Sequence, residues 1–219
     1  MNLFAKTFAA LALFVTLSSF SAQAAVWEDT QTWSNDFETK YSAWVATEFK
    51  ADTFVVTQAN LFATPVSQVQ LPYLARALFA SRNALPFLIR SRADSRTFVN
   101  NRSAAWDQLA AGDARLVAFL KDLRSHITFD RLSLDSFPLL LSEAAVAPGA
   151  FFLNYRNFLN PEAPADVMFI KSEQKGTGFL TFLLVPRQNE TRTMAELAPV
   201  IDQQPTGGSG FMALRWPND

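Results

Sequence analysis

Between residues 34 and 50, SNDFETKYSAWVATEFK, the apolar positions Phe37, Tyr41, Trp44, Val45 and Phe49 follow one another at steps of four, three, one and four. A helix returns its side chains to one face every three or four residues, so these five form a single stripe. Asn35 followed by Glu38 reads as the capping pair of that helix, which is expected to end near Ala51-Asp52. Residues 53–66 are polar and β-branched and read as a connector. Leu71, Leu74, Ala75, Leu78 and Phe79 then share a second helical face. Proline fits only the first turn of a helix, so Pro72 places the start within 67–72, and the helix should run to about Arg82. After Ile89 the periodicity disappears, and 88–103 reads as a basic loop. Trp106 and Leu109 suggest a short helix. Gly112-Asp113 reads as a break followed by an N-cap, opening a broad face of Leu116, Val117, Phe119, Leu120, Leu123 and Ile127.

Beyond about residue 145 the pattern changes to short runs rich in Phe and Val, bounded by Gly and Pro. They are AFFL (150–153) after Pro148-Gly149, the run 166–171, FLTFLLVP (179–186) and FMALRW (211–216). Such runs read as strands, and the turn around Gly176 predicts an antiparallel hairpin of the middle two. Helices first and an antiparallel sheet afterwards make an α+β domain. The Gly-rich stretch 206–210 reads as a flexible loop, and no internal repeat is found.

The first 25 residues, MNLFAKTFAALALFVTLSSFSAQAA, change the picture at the amino terminus. Lys6, the apolar run Phe8–Leu17 and the small-x-small pattern Ala22-Gln23-Ala24 form a secretory signal whose apolar core is too short for a membrane span. The expected organisation is therefore a signal peptide over 1–24 and one domain over 25–219, exported to the periplasm or beyond. No later stretch reaches about 18 apolar residues, so no membrane span is expected in the mature chain.

Composition acts mainly by exclusion. The 219 residues hold 19 Lys+Arg against 20 Asp+Glu, which leaves no electrostatic drive toward nucleic acid. With no Cys there is no disulfide framework, thiolate zinc site, iron–sulfur cluster or cysteine nucleophile. One His excludes any site that needs two imidazoles. The chain carries no cofactor motif, and no calcium-loop spacing of Asp and Gly is present.

The helix-then-sheet order resembles that of papain-like cell-wall peptidases. The matching pieces are YLARALFASRNALPF (73–87), Pro148-Gly149 before a strand, Leu184-Val185-Pro186-Arg187 closing a strand pair, and Leu214-Arg215-Trp216-Pro217 near the end, so the resemblance covers 65–217. It implies a papain-like layout with a Cys at the start of a helix and a His on a core strand. Those positions fall near Gln68 and Asp166 here. Neither the amide nor the carboxylate can stand in for the missing pair, so the resemblance implies a catalytically degenerate member. Gln68 and Asp166 would line a vestigial cleft, with the helix N-terminus aimed at the start of the 166–171 strand and Arg76 at the rim.

Three other groups of residues carry chemistry. His126 follows Lys121 and Arg124 in a last helical turn, where cations suit the helix dipole, so a surface role is the simpler reading. No Gly-x-Ser-x-Gly elbow follows a strand, which argues against a serine hydrolase. A carboxylate pair could hydrolyse glycosides without Cys or His, and Glu48 is the tempting acid, but it lies beside the apolar stripe on a solvated face. The segment 82–102 holds five Arg and one Asp; Arg90, Arg92 and Arg96 could grip an anionic polymer or an acidic partner face, against the plainer reading of a solvated loop. The aromatic segment 154–164 reads equally as contact loop or core plug. The sequence thus predicts an exported, non-catalytic domain that binds an envelope protein or a cell-wall peptide. The alternatives are a carboxylate-based wall hydrolase and an accessory envelope protein without a cleft.

Overall fold

The first helix, α1 (Asn35–Thr47), is set by the predicted stripe: Tyr41, Trp44 and Val45 are buried. In this computed structural model, residues 25–50, 53, 66–90, 98–140, 142, 145–154, 166–174, 179–183, 190–193 and 210–214 are described. Residues 1–24, where a signal peptide is expected, Arg92, Arg96 and residues 155–165 lie outside them. The expected Asn35–Glu38 capping pair is not what caps α1. Ser34 is the N-cap, its Oγ accepting from the Phe37 amide at 3.4 Å, and Glu38 is drawn to Arg76 instead. The helix also stops earlier than Ala51. Phe49 leaves the helix, donates its amide back to the Trp44 carbonyl at 3.1 Å and keeps its ring in the core, 5.7 Å from that of Phe169.

The second helix begins where Pro72 places it. A 3₁₀ turn over Gln68–Gln70 leads into α2 (Leu71–Arg82), and the Ser67 amide donates to the Gln70 side-chain oxygen at 3.1 Å. Every residue from Leu71 to Ala80 is buried, so α2 is a central helix, covered on all sides rather than along one stripe. The 3₁₀ turn packs against the sheet strand that starts at Asp166.

The basic stretch is not wholly a loop. Its ends pair as an antiparallel hairpin, β1 (Leu88–Arg90) with β2 (Phe98–Asn100), with Ile89 and Val99 buried. Three-residue strands leave too little alternation to be read from sequence. Asn101 closes the hairpin onto the amino-terminal segment: its side chain accepts from the Phe87 amide and donates to the Trp27 carbonyl, and its own carbonyl accepts from Val26. A 3₁₀ turn, Ala104–Trp106, precedes α3 (Asp113–His126), where Gly112 with φ 85 takes the N-cap position expected of Asp113. A short α4 (Phe129–Leu134) is capped by the Thr128 hydroxyl.

The carboxyl-terminal half is one antiparallel sheet in the order β3-β8-β4-β5-β6-β7, built from β3 (Ser136–Pro138), β4 (Phe151–Asn154), β5 (Asp166–Gln174), β6 (Phe179–Leu183), β7 (Glu190–Thr193) and β8 (Gly210–Leu214). Helices come before an antiparallel sheet, as the sequence predicts, and β5 pairs antiparallel with β6. Both faces of the sheet are apolar. Phe151, Leu153, Val167, Phe169, Leu183 and Met212 join the helices in the main core, while Phe152, Met168, Ile170, Leu180, Phe182 and Phe211 form a second cluster with Val146 on the other side. That is why β4 and β5 read as continuous apolar runs rather than alternating ones.

The register of β5 shifts between Ile170 and Ser172, which face Phe182 and Thr181, so Lys171 is the extra residue of a bulge. Alternation along β5 puts Lys171 on the helix face with Val167 and Phe169, and its ammonium donates to the carbonyls of Val45 and Phe49 at the end of α1. At the other edge, the Leu139 amide bonds to the Phe211 carbonyl, which continues the β3–β8 ladder. Amides alternate along an antiparallel strand, so Phe137 also faces β8 and Pro138 faces outward.

Candidate functional site

Beside its buried stripe, α1 shows the cleft a polar row. Asn35, Glu38, Thr39 and Ser42 stand at steps of three, one and three, which places them along one side of the helix. They face an apolar wall made by Phe137 and Leu139 at the β3 edge, Ala213 and Leu214 of β8, and the segment Ala145–Ala150. Between the two walls lies a cleft of about 840 Å³, within the range of small-molecule and peptide pockets.

The floor is built by Arg76. Its residue is only 6 % exposed, so its charge needs close partners. Glu38 provides them: Nη1 donates to Oε2 at 2.8 Å and Nη2 to Oε1, a bidentate pair between α2 and α1. The guanidinium also stacks 3.6 Å from the Trp33 ring centroid and 4.8 Å from that of Tyr41. Trp33 is fixed in turn by donating its indole N–H to the Pro86 carbonyl at 2.8 Å. Burial pushes the Tyr41 phenol well above its ordinary range; Arg76 pulls it down and Glu38 pushes it further up. Glu38 itself has a side chain 31 % exposed, so the charge that a ligand meets belongs to the carboxylate and not to the arginine.

Gly149 brings the loop onto this floor. At φ 93, it lies so close to the Tyr41 ring that a Cβ would collide with it. Its amide donates to the Ile170 carbonyl, and the Ile170 amide returns the bond to Ala150, both at 2.9 Å.

Of the residues the sequence singled out, Arg76 lines the cleft, as its buried floor and not its rim. Gln68 is half-buried in the 3₁₀ turn and is not among the lining residues. Asp166 begins β5 opposite Asn154, and its side chain lies outside the described residues. Arg90 ends β1 opposite Phe98. Arg102 pairs with Asp29, its Nε donating at 2.9 Å to Oδ2. Glu48 is the exposed C-cap of α1, away from the cleft. His126 lies 3.5 Å from Asp122, one turn back on α3. Glu38 and Tyr41 were legible only as a cap and as core, and Trp33 was not singled out; the pairing across 38 residues of chain that makes them a site left no local signal.

The described lining has one carboxylate, already engaged by an arginine, where a glycosidase needs two. Its aliphatic hydroxyls, Thr39 and Ser42, have no histidine beside them among the described lining residues. No group of three or more His, Asp or Glu among the described residues is placed to hold a metal, and no helix among them is long and apolar enough to cross a membrane. No family model, no curated protein and no solved structure matches this chain.

Proposed function

We propose that this is an exported, non-catalytic binding domain that takes a short peptide segment, from the cell wall or from an envelope protein, between α1 and the β3–β8 end of the sheet. The observation that carries this reading is the two-sided cleft: a polar helix row faces an apolar wall over a fixed arginine–glutamate floor. A peptide offers both characters at once, backbone amides for Asn35, Thr39 and Ser42 and side chains for Phe137, Leu139 and Leu214. Descent from papain-like peptidases fits the element order and the packing of the 3₁₀ turn before α2 on β5, the place where an active relative would hold its thiol.

The test is a titration of soluble wall peptides and envelope extracts against the purified domain, read by the fluorescence of Trp33 and its neighbours. Saturable binding is expected, and Ala147→Trp, which fills the cleft, abolishes it without unfolding the protein. Binding that survives the filled cleft overturns the reading. Intact mass of the secreted protein checks export: a chain beginning at Ala25 is expected.

A further inference from the structure

Glu38 is the place where the cleft's ligand can be specified more closely. Its two oxygens each accept one N–H from Arg76, and every carboxylate oxygen has a second lone pair to offer. Those remaining sites open to the cleft, since the side chain is 31 % exposed while that of Arg76 is only 7 %. No other charged side chain is among the described lining residues. The arginine therefore acts as a rigid, nearly buried backing that fixes the carboxylate, stacked on Trp33. Around the carboxylate stand Asn35, Thr39 and Ser42, which can complete the hydrogen bonds of a group with several N–H donors.

We propose that the site recognises a primary ammonium group, carried by a peptide as a free amino side chain, with Glu38 as its acceptor and Arg76 as a positioning residue. A ligand carboxylate would meet Glu38 first and be repelled, whereas an ammonium gains a charge-assisted bond to it. The apolar wall then takes the methylene stem and the neighbouring side chains. This rests on the cleft being the binding site.

The probe is the capped peptide acetyl-Leu-Ala-Lys-Ala-amide, compared with its Nε-acetyl-lysine counterpart, each followed by chemical-shift changes in the intact domain. The free amine is expected to bind about tenfold tighter, the worth of one charge-assisted hydrogen bond. Glu38→Gln, which keeps an acceptor for Arg76, is expected to remove the difference between the two peptides while leaving the acetylated one unaffected. Equal binding of the two peptides to the wild-type protein overturns the ammonium proposal and leaves the cleft reading standing. Binding of neither overturns both. Shifts confined to β1–β2, outside the cleft, likewise overturn both.

Discussion

Gly149 rests its backbone on the ring of Tyr41, at a φ of 93 that a side chain rarely adopts. The contact brings the β4 loop against α1 and sets one wall of the cleft. Gly149→Ala adds a left-handed strain and a collision with a fully buried ring. A loss of about 2–4 kcal/mol is expected, read from urea unfolding. A loss below about 0.5 kcal/mol would show that the loop can move aside.

Glu38 and Arg76 are unequal partners, and the asymmetry is measurable. Glu38→Ala leaves a buried guanidinium without its carboxylate and is expected to cost about 3 kcal/mol. Arg76→Met fills the same space with an apolar chain and leaves only a partly exposed carboxylate, which water can reach; about 1 kcal/mol is expected. Denaturation midpoints of the two variants check the order, and the reverse order contradicts the burial argument.

Alkaline pH tests the two buried phenols. Burial raises Tyr41, and burial with the neighbouring Asp135 raises Tyr73, which donates to that carboxylate at 2.9 Å. Unfolded, both lose their protons near the ordinary 10.0; folded, both keep them beyond it. The folded state then holds more protons than the unfolded one, so stability falls as pH rises above about 10. Lys171, lowered by burial and by Lys50, works in the opposite sense only below 10.5. Phenolate absorbance from these two residues is expected to appear together with global unfolding. Their titration in a still-folded protein would contradict it.

Pro138 guards the open side of β3. Its outward position lacks an N–H, so the edge offers an incoming strand one donor fewer. Pro138→Thr restores that donor beside the exposed Phe137 and Leu140. Concentration-dependent association is expected in sedimentation velocity, with folding stability changed by less than about 1 kcal/mol. A variant as monomeric as its parent removes the edge argument.

Where burial follows a local period, the sequence was readable. The α1 stripe, the Pro72 start of α2, the face of α3 and the apolar strands all appear at or near their expected places. The misses have physical causes. β7, Glu-Thr-Arg-Thr, carries no apolar signal, and β3 contains the proline that usually argues against a strand. The α2 face was visible, but not that the helix is buried on every side, because Arg76 looks like a solvated position until Glu38 and Trp33 are brought to it. The site is the least legible part for the same reason. It is assembled from residues near 38, 76, 148 and 213, and only tertiary packing makes them neighbours.

A sheet that is greasy on both sides lacks the usual guard against misalignment. In a half-wetted sheet, sliding a strand by one residue throws its apolar set into water; in β5 the same slip merely exchanges Phe169 for Met168 or Ile170. Lys171 supplies the missing index mark. Moved by one place, its ammonium would lose the Val45 and Phe49 carbonyls and turn toward the second apolar cluster. One misfit polar residue at a bulge thus chooses among alignments that the surrounding hydrophobic residues accept almost equally.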